Sequence, residues 1–267
     1  MFNKKTAIIG CGNIGLAIAK GLSRAKDFSN ENLMVTTRSD HSRKKLEAMG
    51  FTATTDNAQA LDHALVLIVA VTPQQVDSLF ASLAPHLAPH HIILSVVSGV
   101  SCATVRKLTG KENPVIRIMP NTAAAIGESM TCVAYDRELP EALALAMELF
   151  GYVGKCMVLT EEMMVPATVL CACGTAFFLR AIRAASQGGI EIGFHPDQAI
   201  PLAAQVAKGA AALLDEMENH PETEIDKVTT PKGSTITGLN TMEHQGFSSA
   251  MIQGILASYN KTTKLYS

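Results

Sequence analysis

Residues 6–25 read TAIIGCGNIGLAIAKGLSRA, an apolar run that ends on a glycine-rich turn and passes directly into a helix-like stretch. The turn, GCGNIG at 10–15, fits the pattern GxGxxG. After a strand and at the start of a helix, Gly10 permits the tight turn, Gly12 lets the backbone approach a pyrophosphate, and Gly15 permits close packing of helix on strand. The free N–H groups of the first helical turn then face the anion. Residues of these types in this order point to dinucleotide binding.

Outward from that turn, short apolar runs alternate with amphipathic stretches: LMVTT, SRKKLEAMG, ALVLIVAV, QQVDSLFASLAPHL, HIILSVV and PVIRIMP. Strands that are apolar throughout and separated by helices imply a parallel sheet covered on both faces. After TCVAY, a helical ELPEALALAMELFGYVG and a short CMVL, the strand signal stops. From there the chain reads as helices that are apolar on more than one face, as expected of helices buried against a partner as well as each other. The expected architecture is α/β: a Rossmann-type doubly wound parallel sheet over 1–158, followed by an all-helical substrate-binding and dimerisation domain over 159–267.

The 267 residues are 48% hydrophobic and 17% charged, which allows substantial cores. With 22 Lys and Arg against 24 Asp and Glu, the formal charge is −2, which supplies no footprint for nucleic acid or an anionic membrane surface. The apolar run after Met1 is short and wrongly flanked for a signal peptide or membrane span, so a cytoplasmic protein that does not engage membranes is expected. The six cysteines are scattered without zinc-ligand spacing, and no metal is expected.

The second strand ends in Thr37, Arg38 and Ser39. A guanidinium and two hydroxyls suit a 2′-phosphate, whereas a free ribose diol is usually met by a carboxylate, so NADPH is expected. Asp40 keeps NADH as the alternative.

Several further segments carry a resemblance: AVTPQ at 70–74, VVSGV at 96–100, VIRIMPNT at 115–122 followed by IGESMT, GAAALL at 209–214, and VTTPKGSTITGLNTMEHQGF at 228–247. With GCGNIG they resemble pyrroline-5-carboxylate reductase in order and over almost the whole chain. The resemblance implies a homodimer formed through the C-terminal helices, with a larger ring of dimers open as a further assembly, and reduction of L-1-pyrroline-5-carboxylate to L-proline with NAD(P)H. Carried over by position, cofactor contacts fall on Ile9, Gly10, Cys11, Gly12, Asn13 and Ile14, on Thr37, Arg38 and Ser39, and on Asn57. Ala70, Val71, Thr72 and Pro73, with Val97, Ser98 and Gly99, are expected on the nicotinamide side. Asn121 and Glu218 match substrate-side positions. Gly233, Ser234 and Thr235 match the loop whose N–H groups hold the substrate carboxylate, with the Thr235 hydroxyl reaching the ring nitrogen as the catalytic contact.

The residues alone leave helix capping open as the role of Ser234 and Thr235. PKGST stands where the family has PGGTT or PGGAT, so Lys232 is strained if its position needs positive φ. MPNTA lacks a second proline, and CACGTAFF keeps one glycine of the family's SGSGPAY and loses its tyrosine. His220 reads as a helix stop and His195 as part of a helix start. The central C-terminal helix, ATVLCACGTAFFLRAIRAAS, contains no lysine to donate a proton to a forming alkoxide, which argues against ketone reduction. The alternatives are reduction of a related cyclic imino acid, and an NADPH-binding regulatory relative without turnover.

Overall fold

The computed structural model describes residues 2–217 and 219–265. Its sheet takes the order β3-β2-β1-β4-β5-β6-β7-β8. The strands are β1 (Thr6–Ile9), β2 (Leu33–Thr36), β3 (Thr52–Thr54), β4 (Val66–Val69), β5 (Ile92–Ser95), β6 (Val115–Met119), β7 (Ser129–Ala134) and β8 (Gly154–Val158). The first six are parallel, and the order reverses between β1 and β4, where Ile9 pairs with Val69. Here the sheet departs from an all-parallel expectation, because β7 runs antiparallel to β6, and β8 parallel to β7. The link from Met119 to Ser129 is a short 3₁₀ turn, Thr122–Ile126, too short for the crossover that a parallel return requires.

The period of two along each strand divides its side chains between two cores. Ile8, Ile68, Leu94 and Ile116 face one side, covered by α1 (Asn13–Arg24), α2 (Asp40–Ala48) and α6 (Pro140–Gly151). Ile9, Leu67, Val69, Ile93 and Val115 face the other, covered by α3 (Asn57–His63), α4 (Val76–Leu83) and α5 (Cys102–Thr109). Two-sided burial explains why these strands read as unbroken apolar runs. β3 and α3 gave no such run: the strand has three residues and a partly exposed pattern at the sheet edge, and the helix has seven.

After β8 a helical run returns along the sheet. α7 (Met164–Ala167) packs with Met119, Cys132 and Ala134, and leads into a π-helical segment, Thr168–Cys173. Contacts divide the chain after this segment: Met1–Cys173 and Tyr259–Ser267 form one unit, and Gly174–Ser258 another. Because α7 and the π segment pack with strands of the sheet, they group with the first unit, so this division falls later than the boundary expected from loss of strand signal at 158.

The second unit holds α8 (Gly174–Glu191), α9 (Pro196–Met217), α10 (Pro221–Lys227), α11 (Ser234–His244) and the first part of α12 (Phe247–Leu265). Among its described residues only Gly174, Ser186 and Ala199 are buried, while Phe178 is 65% exposed, Val206 71% and Ile192 79%. Its side chains therefore leave an extensive apolar surface uncovered. The run Glu161–Glu191 is also long and apolar enough to cross a membrane, by length and composition.

One close approach fixes the first unit near its cleft. Gly21 of α1 lies against the Thr122–Ile126 turn, and a Cβ there would run into the Ala124 carbonyl oxygen and come within 2.8 Å of Val153 Cγ1. Both are parts of a packed core that cannot retreat. Gly21→Ala is therefore expected to lower the unfolding free energy by about 1–3 kcal/mol, read as a fall in the urea midpoint with an unchanged slope.

Candidate functional site

The strand order reverses between β1 and β4, and the chains leaving their ends must part, which opens a crevice at the sheet's carboxyl edge. A cleft of about 810 Å³ lies there. One wall is the glycine turn. Gly10 has φ +92°, which a side chain rarely adopts, and a Cβ on Gly15 would come within 2.5 Å of the Gly10 carbonyl oxygen. A Cβ on Gly12, in contrast, would meet nothing within 4 Å, so its absence leaves open space at the mouth of the turn. The N-cap of α1 is Gly12, and no side chain satisfies the first N–H groups of this helix. Those residues fit the pyrophosphate of a dinucleotide.

The turn is tied to β2, with Cys11 N donating to the Thr36 carbonyl at 2.7 Å and Gly10 N to Thr36 Oγ1 at 3.1 Å. Burial pushes the Cys11 thiol up to about 12, so this cysteine is a neutral wall residue. Ile9, Gly10, Cys11, Gly12, Thr37, Arg38, Ser39, Asn57, Ala70, Val71 and Thr72 all line the cleft. Asn13, Pro73, Val97 and Gly99 do not: Asn13 begins α1, Pro73 begins a 3₁₀ turn, and Val97 is buried in the second core.

At the far end, Ser39 caps α2, its Oγ accepting from Ser42 N at 3.2 Å. Asp40 is bound by Arg43, which contacts it at 2.9 Å and Glu47 at 2.6 Å. Hydrogen bonding and charge from Arg43 hold the Asp40 carboxyl below the usual carboxylate range. Arg38 has no ion-pair partner among the described residues. The acid in this corner is thus already neutralised and the free guanidinium points to a phosphate rather than a diol.

The cleft also takes in Ser42, Thr55, Gln75, Ser78 and Ser82, which sequence reasoning missed. Ser78 and Ser82 stand four apart on α4, opposite buried Val76, Phe80 and Leu83, so a polar stripe at i and i+4 was the available signal.

A second cavity of about 210 Å³ is lined by Ile14, Val96, Ser98, Met119, Pro120, Asn121, Thr122 and Ala172. Asn121 is already engaged: its Oδ1 accepts from Ala123 N at 3.0 Å, its Nδ2 donates to the Cys171 carbonyl at 3.1 Å, and its own N–H donates to Ser129 Oγ at 3.1 Å. Its side chain therefore braces the turn against the π segment.

In the second unit, Thr230–Pro231–Lys232–Gly233 forms a turn closed by Gly233 N donating to the Thr230 carbonyl at 2.9 Å. Lys232 is the one non-glycine residue with positive φ among the described residues, at 61°. The turn delivers the chain to α11, whose N-cap is Gly233 with no side-chain cap. Ser234 and Thr235 are exposed and do not cap the helix, which leaves its N–H groups and their hydroxyls facing outward. Glu218 lies outside the described residues. His220 does more than end α9: its Nδ1 accepts from Glu222 N at 3.3 Å and caps α10. Among the described residues no group of three His, Cys, Asp or Glu side chains could hold a metal.

The reversed strand order, glycine turn and crevice together define a Rossmann-type dinucleotide-binding protein with a helical C-terminal module. Residues 161–265 match the family model for pyrroline-5-carboxylate reductase dimerisation, and 5–99 that for NADP oxidoreductase, coenzyme F420-dependent. The chain is 42% identical to pyrroline-5-carboxylate reductase 2 of Dictyostelium discoideum, over 98% of this chain and 93% of that protein. It is 31% identical to the Methanosarcina acetivorans reductase, over 99% of each. Against pyrroline-5-carboxylate reductase 1 of D. discoideum it is 49% identical over its full length, but spans only 50% of that protein. The fold matches the crystal structure of Plasmodium falciparum pyrroline carboxylate reductase with NADP bound, at a TM-score of 0.90, 22% identity and full coverage of both chains. The chain belongs to the pyrroline-5-carboxylate reductase family.

Two outcomes follow from this geometry. Arg38→Ala should weaken binding of NADPH about ten-fold or more, with little effect on NADH, in calorimetric titrations, since a charge-assisted bond to phosphate is lost. Lys232→Gly should stabilise the protein by about 1 kcal/mol, because glycine adopts the left-handed conformation without the Cβ clash, seen as a raised denaturant midpoint.

Proposed function

We propose that this protein reduces L-1-pyrroline-5-carboxylate to L-proline, the last step of proline biosynthesis, with NADPH as the preferred reductant and NADH as the lesser one. The observation that carries this reading is the exposed, uncapped start of α11 behind the Thr230–Gly233 turn, in a chain that matches reductases of this name end to end. When bound in the cleft, NADPH supplies the hydride that C5 of the imine accepts. The remaining work is orientation, since a protonated imine is already electrophilic and needs no strong base.

In this reading the N–H groups of Gly233, Ser234 and Thr235 hold the substrate carboxylate as a helix start holds any anion. The Thr235 hydroxyl positions the ring nitrogen, and the Lys232 ammonium adds positive charge to the approach. Glycines 10 and 12 hold the pyrophosphate, and Arg38 with Ser39 and Ser42 the 2′-phosphate. Ser98 stands on the nicotinamide side and Asn121 on the substrate side of the one small cavity that both line. The absence of lysine from 161–191 favours this imine reduction over ketone reduction.

The domain assignment accompanies the activity: cofactor binding over 1–158, and substrate binding with dimerisation over 159–267. The exposed apolar residues of the second unit and the dimerisation family match over 161–265 support a homodimer through these helices; a larger ring of such dimers is the further assembly open to it. A second copy of this chain, rather than lipid, covers the apolar run 161–191, consistent with a cytoplasmic enzyme.

The test is NADPH oxidation with L-1-pyrroline-5-carboxylate, a six-membered cyclic imino acid and a keto acid as substrates. The five-membered imine should give the highest kcat/KM. Thr235→Ala should lower that value about three- to ten-fold while leaving NADPH affinity unchanged. An unchanged kcat/KM would remove Thr235 from the mechanism, and NADPH binding without oxidation of any of the three would favour the regulatory alternative.

A further inference from the structure

Two thiols meet behind the wall of the second cavity. Cys132, on β7, is buried, and its Sγ lies 3.7 Å from Sγ of Cys171, in the π segment. They come from segments 39 residues apart, brought together where α7 folds back along β7. Around them stand Met119, Ala134, Met164 and Ala167, an apolar setting. Cys171 is partly exposed, the residue after it lines the cavity, and its own carbonyl accepts from Asn121 Nδ2.

The two sulfurs are poised to bond. A disulfide needs a separation of about 2.05 Å, so on the order of 1.6 Å of combined movement closes the gap. The thiols also differ in acidity. Hydrogen bonding from Cys132 lowers the pKa of Cys171, whereas that bond and burial raise the pKa of Cys132. The other cysteines with a displaced acidity go upward: burial pushes Cys11 and Cys102 up to about 12 and raises Cys156. The more acidic, more accessible thiol is the attacking one and its buried neighbour the resolving one.

We propose that Cys132 and Cys171 form a peroxide-responsive dithiol site whose oxidation to a disulfide lowers the enzyme's activity. The Cys171 thiolate attacks one oxygen of a hydroperoxide, the O–O bond breaks, and the leaving oxygen departs as hydroxide or alkoxide and takes up a proton. Cys171 is then a sulfenic acid. The Cys132 sulfur attacks the Cys171 sulfur, the S–O bond breaks, and water leaves carrying the Cys132 proton. Two thiols are oxidised and one peroxide is reduced, so electrons balance without a further reagent. Closing the bond shifts the Cys171 backbone, whose carbonyl accepts from Asn121 Nδ2, and so disturbs the brace between the Thr122–Ile126 turn and the π segment. The effect on turnover rests on the reductase reading; formation of the disulfide does not.

The experiment treats the full-length protein with hydrogen peroxide, blocks the remaining thiols by alkylation, and maps unreduced peptides by mass spectrometry alongside the reductase assay. The expected result is a linked peptide joining Cys132 to Cys171, a fall in kcat/KM of about ten-fold or more as the brace shifts, and recovery with dithiothreitol. Cys132→Ser and Cys171→Ser, each compared with its own untreated rate, should give no link and keep their rates after peroxide. Cys156→Ser should respond as the unaltered protein does. Absence of the 132–171 link while other thiols are oxidised would overturn the proposal, as would a Cys171→Ser protein that loses activity to peroxide as fast as the parent. A link without any change in rate would overturn the regulatory half. Since the linked peptide is read without turnover, a protein that reduces no imine fails the functional reading alone, and the peptide map still decides the thiol site.

Discussion

The hydrogen bond from Ala70 N to the Ile9 carbonyl, 2.9 Å long, is the last rung between β1 and β4, and the cleft exists because the two chains part directly beyond it. Toward the sheet, Ile9 and Val69 are locked in register and buried. Away from it, one chain turns through Gly10 into α1 and the other passes through Ala70 and Val71 to the 3₁₀ turn at Pro73–Gln75. Neither path can shift without breaking a ladder buried on both faces, where an unpaired backbone group is costly. The cofactor's cradle is therefore as rigid as the core of the sheet, and the variable chemistry is left to the loops at either end.

Two turns in the molecule follow a common physical plan. Each stands before an uncapped helix, at Gly12 before α1 and at Gly233 before α11. At the first the conformational demand is met by Gly10, at the second by Lys232 in the left-handed region. A protein that accepts strain of about 1–2 kcal/mol at such a turn holds it with surrounding bonds, here the Thr230–Gly233 closure and the fixed φ of Pro231.

The parts of the molecule legible in the sequence are those where one local signal dominates. Strands buried on both faces wrote themselves as apolar runs, and the glycine turn carried its own geometry. β3 was illegible because three edge residues, the first exposed and the last buried, are too few to show a periodicity. The reversal of β7 could not be read either, since an antiparallel return depends on the shortness of the 3₁₀ link and not on the strand's composition. At the site, the expectation for Arg38 was readable from residue type, but the pairing of Arg43 with Asp40 and Glu47 became visible only once helical spacing had been established. The meeting of Cys132 with Cys171 has no local signature, because it depends on how the chain returns after β8.

The corner around Arg38 also has a consequence in terms of ionic strength. Under the proposed function, pyrophosphate binding at the glycine turn uses N–H groups fixed by the fold, whereas recognition of the 2′-phosphate uses an exposed guanidinium whose attraction for the ligand is screened by dissolved ions. Affinity for the shared part of the two cofactors and discrimination between them are thus carried by groups of different salt sensitivity. As ions accumulate, the preference between phosphorylated and unphosphorylated dinucleotide narrows before the cleft loses its hold on either.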